Sequence, residues 1–434
     1  MMASNLWRVS LSVGTLAALW LSGTVRAEEG ASPSADLIKR GEYVARTADC
    51  VACHTTDHDK PFAGGLAMGL PMGNIYSTNI TPDKDTGIGR YTLDQFKRVL
   101  REGVTPDRGN IYPAMPYPSY TKMTDDEIEA LYAYFMHGVA PVHQENRAPD
   151  FYWPLTIRWP LKMWNWMFLD EGAYQPKAGQ SDEWNRGAYL VQGPAHCGTC
   201  HTPRGLAMQE RAYDETSDEF LAGADIASWH AFNITSDPNS GICAWSTDEL
   251  VQYLKTGNVR GKGQAAGQMA EAVEHSFSQM TDADLQAIAV YIKTVPAVND
   301  GDTRPRFSYG TPSDDFLRLR AQPEAKDVPE DRGARVYLEN CAACHGPSGQ
   351  GSPDGYYPSM FHNSVIGTDY HNNLINVVLD GVQRKTPGNE VLMPAFRDQL
   401  SDDDIAALAN YMSRQFGRGD MNVTPKSVKV LRNK

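Results

Sequence analysis

What this sequence lacks narrows its chemistry before any motif is considered. No Gly-x-Gly-x-x-Gly follows a strand-like run and no P-loop is present, so nicotinamides, flavins and nucleotides find no site of those kinds. No Ser/His/Asp grouping stands out for nucleophilic catalysis. Basic residues are in deficit, 40 Lys and Arg against 53 Asp and Glu, and a surface of that sign repels nucleic-acid phosphates and gains nothing from anionic lipid. Long apolar runs are missing too. The stretch from Val9 to Leu21 is too short and too rich in Ser and Gly to span a bilayer comfortably, and the chain closes on a basic, polar tail. Any contact with a membrane surface is therefore expected through apolar side chains or a partner.

Cysteine is scarce as well, seven in 434 residues, yet six of the seven fall in one pattern that occurs three times. The copies are Cys50-Val51-Ala52-Cys53-His54, Cys197-Gly198-Thr199-Cys200-His201 and Cys341-Ala342-Ala343-Cys344-His345. On composition alone, the chance that a given Cys is followed by Cys at +3 and His at +4 is roughly 4 in 10,000. Two thiols at this spacing can add across the vinyl groups of a haem, and the adjacent histidine is then held under the iron. Zinc cages and disulfide frameworks also use Cys-x-x-Cys, but both leave the histidine unexplained and both pair such units, which an odd number cannot do. The spacing predicts three covalently bound haems c, with His54, His201 and His345 as proximal ligands.

The length suits three domains of about 100 to 150 residues each, and the motifs lie 147 and 144 residues apart. Residues 1–27 read as a secretory signal: Arg8 is the positive n-region, the apolar run follows, and Val25-Arg26-Ala27 fits a cleavage site. An uncleaved N-terminal anchor is the alternative. Removing Arg8 and Arg26 takes the formal charge from −13 to −15. Export agrees with covalent haem attachment, which takes place outside the bacterial cytoplasm.

Aligned on the motifs, the copies repeat on either side. A segment with an early glycine precedes each: Arg40-Gly41-Glu42-Tyr43, Arg186-Gly187-Ala188-Tyr189 and Arg332-Gly333-Ala334-Arg335. A capped helix follows each, starting at Thr124, Thr281 and Ser401, with an aromatic expected on one face at Tyr132, Tyr291 and Tyr411. Between them a third helix runs into Gly103, Gly257 or Gly381 as a C-cap. Asn79-Ile80-Thr81 recurs as Asn233-Ile234-Thr235 and is missing from the third copy. The arrangement resembles a class I cytochrome c domain, so the expected fold is mainly α, with three such domains in tandem. The expected boundaries are 28–150, 179–325 and 326–434, with a Trp-rich linker over 151–178.

The sixth iron ligand is expected in the loop before each capped helix. Met115 and Met393 are flanked by proline, the setting of a thioether held by a stiff loop. In the middle copy Met269 is the candidate, with Met280 its rival. His/Met ligation at all three irons leaves no open position for peroxide or oxygen. Two stretches break the repeat. Trp153, Trp159, Trp164 and Trp166 form either a linker that folds back over the first domain or packs between domains, or a membrane-interface or partner-docking surface. Cys243, in the position of Gly89, is expected as a buried spare thiol, with a disulfide to another subunit as the alternative.

On Arg186-Gly187-Ala188-Tyr189-Leu190, His196-Cys197-Gly198-Thr199-Cys200-His201-Thr202-Pro203-Arg204, the paired Asn-Ile-Thr segments, Met269-Ala270-Glu271-Ala272-Val273 and Met393-Pro394-Ala395-Phe396, the mature chain resembles a family. That family is the three-haem cytochrome c subunits of bacterial membrane-bound dehydrogenases. The resemblance implies a flavoprotein or quinoprotein large subunit as partner, and for the flavin type a small third subunit. It implies an electron-transfer subunit, not catalytic on the organic substrate by itself, at the periplasmic side of the inner membrane and delivering electrons to ubiquinone. Gluconate 2-dehydrogenase is the favoured complex, with quinohaemoprotein alcohol dehydrogenase and sorbitol or fructose dehydrogenase as alternatives. A free periplasmic electron carrier is the reading from a different class.

Overall fold

The computed structural model describes residues 32–70, 72–315, 331–419 and 421–434. The signal read at residues 1–27 and the boundary expected between 325 and 326 lie outside them. Among the described residues the chain is rich in helix, and its strands form two-stranded antiparallel hairpins.

The first set of elements is α1 (Ala35–Thr47), the single turn α2 (Cys50–His54), β1 (Ala67–Leu70) with β2 (Gly73–Tyr76), α3 (Leu93–Glu102), β3 (Val104–Thr105) with β4 (Gly109–Asn110), the short α4 (Tyr117–Tyr120) and α5 (Asp125–His137). After α6 (Pro160–Phe168) the order returns: α7 (Asp182–Gln192), α8 (Cys197–His201), β5 (Ala224–Ile226) with β6 (Trp229–Ala231), α9 (Thr247–Thr256), β7 (Asn258–Val259) with β8 (Gly263–Gln264), α10 (Gly267–His275) and α11 (Asp282–Ile292). The third set comprises α12 (Arg332–Asn340), α13 (Ala342–His345), α14 (His371–Asp380), β9 (Val382–Thr386) with β10 (Asn389–Met393), α15 (Asp402–Phe416) and the closing α16 (Pro425–Arg432). Each set encloses its own buried core, around Leu131 and Phe135, Leu190 and Ile288, and Leu374 and Leu408.

In every set the first helix crosses the capped helix (α5, α11 or α15) at a glycine, and the crossing tolerates nothing larger. A Cβ on Gly41 would lie 1.9 Å from Ala130 O, on Gly187 2.0 Å from Ala287 O, and on Gly333 2.2 Å from Ala407 O. Four residues beyond each of those alanines a tyrosine packs on the same glycine: Tyr134, Tyr291 and Tyr411. The aromatic expected at Tyr132 is therefore corrected to Tyr134. Two residues apart on a helix point to different faces, and Tyr132 instead donates its hydroxyl to Tyr91 O at 2.8 Å.

The caps follow the sequence pattern. Thr124, Thr281 and Ser401 accept from the backbone N–H of Glu127, Asp284 and Asp404 at 3.3, 3.2 and 3.1 Å. Gly103 and Gly257 close α3 and α9 in the left-handed conformation. The Asn-Ile-Thr pair builds one clasp twice. Asn79 Oδ1 accepts from Thr81 N and Oγ1 at 2.9 and 2.7 Å, and Asn233 accepts from Thr235 N and Oγ1 at the same distances. Each asparagine then donates to the chain beyond its capped helix, at Val142 O and Val298 O.

The Trp-rich segment divides. Trp164 is buried, its Nε1 donating to Ala207 O at 2.9 Å, which ties α6 to the second set. Trp153, Trp159 and Trp166 are 80%, 68% and 83% exposed. Cys243 is exposed rather than buried, a second correction: it lies in a surface turn where its N–H donates to Asp237 O.

Candidate functional site

Each Cys-x-x-Cys-His stretch folds into one turn of helix, which places thiols three apart on the same face. The chain enters the first two turns through left-handed residues, Asp49 at φ 50° and His196 at φ 38°. No disulfide joins any two of the seven cysteines. No three His, Cys, Asp or Glu gather as a cage for a metal ion among the described residues.

The three histidines share one anchor. His54 Nδ1 lies 2.6 Å from Thr78 O, His201 Nδ1 2.6 Å from Phe232 O, and His345 Nδ1 2.9 Å from Pro358 O. A carbonyl only accepts, so Nδ1 carries the proton and Nε2 keeps its lone pair for a metal. Burial lowers the pKa of all three imidazoles, which favours the neutral, ligating form. Burial also pushes Cys50, Cys197 and Cys341 up to about 12 and Cys53 and Cys200 up to about 11. Two thiols on one face beside an imidazole with a free Nε2 is the donor set that a covalent haem requires, and the residues fit that group.

Met115 packs against the same core as Cys50, and Met269, on α10, against the same core as Cys197. Met280 is buried inside the second core with its carbonyl taken by Lys255 Nζ at 2.9 Å. Met393 ends β10, opposite Val382, and is half-buried.

Several residues at these turns are given no role by the sequence pattern. The Asp49 carboxyl is raised by burial and then by Glu271 of α10. Burial, then Asp49, Glu271 and Cys200, raise Cys53, and burial and more weakly Asp49 raise Cys200, so the first two turns lie near one another. The His196 ring packs edge-on to Tyr120 at 5.7 Å, and Tyr120 donates to Ala48 O at 2.8 Å. Behind the second turn lies Glu210, buried, accepting from Thr199 Oγ1 at 3.2 Å, its carboxyl pushed up to about 7 by burial. Only their position in the fold reveals them.

Comparison with known proteins agrees with this geometry. Residues 38–138 match the family model described as cytochrome c, and residues 329–412 the model described as cytochrome C oxidase, cbb3-type, subunit III. The chain is 44% identical to the fructose dehydrogenase cytochrome subunit of Gluconobacter japonicus, covering 95% of this chain and 87% of that one. It is 42% identical to the cytochrome c subunit of the quinone alcohol dehydrogenase of Gluconobacter oxydans, over 95% and 84% of the two chains. Identity is again 42% with the gluconate 2-dehydrogenase cytochrome c subunit of Pantoea cypripedii, over 91% and 89%.

Proposed function

The chain belongs to the cytochrome c subunit family of the fructose, alcohol and gluconate dehydrogenases, and from this we propose that it carries electrons from a dehydrogenase subunit to membrane ubiquinone through three covalent haems c. The anchor that carries the reading is the thrice-repeated histidine whose Nδ1 is tied to a main-chain carbonyl beside two thiols. On this reading the helical sets are three tandem class I cytochrome c domains over 28–150, 179–325 and 326–434. Cys50 and Cys53, Cys197 and Cys200, and Cys341 and Cys344 hold the haems. His54 and Met115, His201 and Met269, and His345 and Met393 are the axial pairs.

When bound, each haem supplies a one-electron couple, and His/Met ligation directs it to electron transfer rather than oxygen chemistry. The protein's part is to fix the imidazole rings through their carbonyl partners and to keep the ligands in buried surroundings, both of which tune the potential. Identities of 44%, 42% and 42% across three substrate classes support a subunit that leaves substrate choice to its partner. That partner is a flavoprotein or quinoprotein large subunit, with gluconate 2-dehydrogenase the first complex to try and a small third subunit expected for the flavin type. A signal over residues 1–27 would place the chain on the periplasmic side. No helix among the described residues is long and apolar enough to cross a membrane, and Trp153, Trp159 and Trp166 supply an exposed apolar face for the membrane surface.

The test is purification of the native complex, with a haem-stained gel, a haem count per chain and reduction of the c-type absorption band by gluconate, ethanol or fructose. Three haems and reduction by one of these substrates are expected. Two haems per chain would overturn the ligand set. A chain that purifies alone and responds to none of the substrates would be a free carrier.

A further inference from the structure

We propose that Glu210, carried against the second Cys-x-x-Cys-His turn by the longer loop of that copy, couples proton uptake to reduction of the second haem, an inference that rests on the reading that Cys197 and Cys200 hold a haem. A contact shared by the three copies measures the loop. Gly64 N–H donates to His54 O, Gly223 N–H to His201 O and Gly351 N–H to His345 O, each at 2.7 Å. That glycine stands 10 residues after the histidine in the first copy, 22 in the second and 6 in the third. The extra chain of the second copy holds Arg204, Glu210 and Tyr213.

The turn is shaped to receive the carboxyl. After the first thiol the copies carry Val51, Gly198 and Ala342. Glycine is what admits Glu210, since a Cβ on Gly198 would lie 2.8 Å from its Oε2, while Oε1 accepts from Thr199 Oγ1 at 3.2 Å. Gly198 and Thr199 are the two residues between the second pair of thiols, so the carboxyl touches the turn that carries the haem. Glu210 is only 6% exposed. Holding Thr199 needs no ionisable group, because an amide would accept the same bond without the cost of burying a charge.

The charged groups around Glu210 leave it free to change its proton. Arg204 lies at 3.9 Å and is itself tied to Thr199 O and Met208 O. Glu210 lines a cavity of about 520 Å³ with Asp170 and Tyr213, where Arg211 is paired with Glu219 at 2.6 Å. On the turn, Cys200 is neutral as a thioether, and the first set contributes Asp49, whose charge acts on Cys200. Burial prevails over Arg204 and Thr199 and pushes the Glu210 carboxyl up to about 7. A ferric haem carries one more positive charge than a ferrous one, which favours the ionised carboxylate beside it. With one electron from the dehydrogenase subunit on the iron, Glu210 takes one proton from water on the cavity side, and the summed charge of iron and carboxyl stays the same. Reoxidation releases both.

The experiment uses the whole detergent-purified complex in a spectroelectrochemical cell, with the potentials of its c-type haems followed from about pH 6 to about pH 8. In the parent, the reduction equilibrium constant of one haem is expected to fall at least about threefold as pH rises across that range. Glu210→Gln, which stays neutral, is expected to abolish that dependence and to hold the haem at its acid-side potential. Gly198→Ala, which pushes the carboxyl toward water, is expected to move the dependence to lower pH. Haem content checks folding, and Gly198→Ala decides alone if Glu210→Gln does not assemble. In the infrared redox difference spectrum, the carbonyl stretch of a protonated carboxyl is expected to appear on reduction of the parent and to be lost in Glu210→Gln. Unchanged pH dependence in the assembled variants, or none in the parent, overturns the coupling and leaves the haem reading standing. A peptide spanning Cys197 to His201 that carries no haem in mass analysis overturns that reading itself, and the coupling with it.

Discussion

Between the first two helical sets, Tyr43 of α1 donates to Asp284 of α11 at 2.6 Å, and Tyr189 of α7 donates to Glu127 of α5. The four residues occupy equivalent places in their copies, so the contact is reciprocal, as in a two-fold pair. Arg186 joins both carboxylates, at 2.7 Å to Asp284 and 3.3 Å to Glu127. The second and third sets meet differently. There the β9–β10 hairpin lies on α10, and Arg384 is sunk to 1% exposure, donating from Nη1 to Ala265 O at 2.7 Å while Nε and Nη2 have no partner. The His230 ring stacks on Tyr370 at 3.5 Å, and Asn373 exchanges two hydrogen bonds of 2.8 Å with the His230 backbone. The third copy has Arg335 where the others have tyrosine, and its Asp404 is paired with Arg332 of its own set at 2.7 Å. A reciprocal dock needs the same residues on both partners. With Arg335 in place of that tyrosine the third copy cannot make the reciprocal contact, and it docks through the β9–β10 hairpin instead.

The comparison breaks most easily at Arg384, because its place there is one of volume more than of charge. Arg384→Ala leaves a void against Gly257 and Ala265 and is expected to cost about 3 kcal/mol. Arg384→Met keeps most of the volume and removes two unsatisfied donors, so it is expected within about 1 kcal/mol of the parent. Chemical unfolding of the haem-loaded chain measures both. Equal losses for the two variants would mean that the buried charge itself joins these sets.

At the reciprocal contact charge comes first. Arg186→Met strands two carboxylates, and its expected cost is about 2 to 3 kcal/mol. The figure sits below that of a fully buried pair because Arg186 keeps 35% of its side-chain surface in water. Acid acts on the same contact. Burial tends to raise the Asp284 carboxyl, but the hydrogen bonds from Arg186 and Tyr43 prevail and hold it below its usual range. A folded pKa below the unfolded value near about 4 means the contribution is complete above that pH and drains as pH falls through the lower folded value. Unfolding midpoints measured from pH 6 to 3 should therefore show the parent's advantage over Asp284→Asn shrinking below about pH 4. A constant gap would remove Asp284 from the account.

Much of this was legible in the chain because it depends on local geometry. Gly41, Gly187 and Gly333 announce the helix crossings, the Thr and Ser caps start the helices, and the Asn-Ile-Thr pair foretells its own clasp. Legibility stops where the fold decides which of two neighbours faces inward. Tyr132 and Tyr134 lie two apart on one helix, as do Trp164 and Trp166, and in each pair only one packs at the contact in question. The exposure of Cys243 depends on a turn whose depth no spacing encodes. Tyr43, Asp284, Tyr189 and Glu127 are all visible as pattern members. That they meet across copies depends on docking, and Glu210 belongs to no pattern at all.

The smallest expected effect is the sharpest test of reciprocity. If the two-fold relation were exact, Tyr43→Phe and Tyr189→Phe would cost the same, the loss of one charge-assisted hydrogen bond each. Arg186 spoils the equality. It grips Asp284 with two nitrogens, Nε at 2.7 Å and Nη2 at 2.9 Å, but reaches Glu127 with one at 3.3 Å. Losing Tyr43 leaves Asp284 well satisfied, at a cost of about 1 kcal/mol, whereas losing the buried Tyr189 leaves Glu127 with a single long bond, at about 2 kcal/mol. Because Arg186 can swing toward whichever acid is stranded, the double variant should cost less than the two losses added. Equal single losses that add fully would show two independent contacts, with Arg186 a bystander between them.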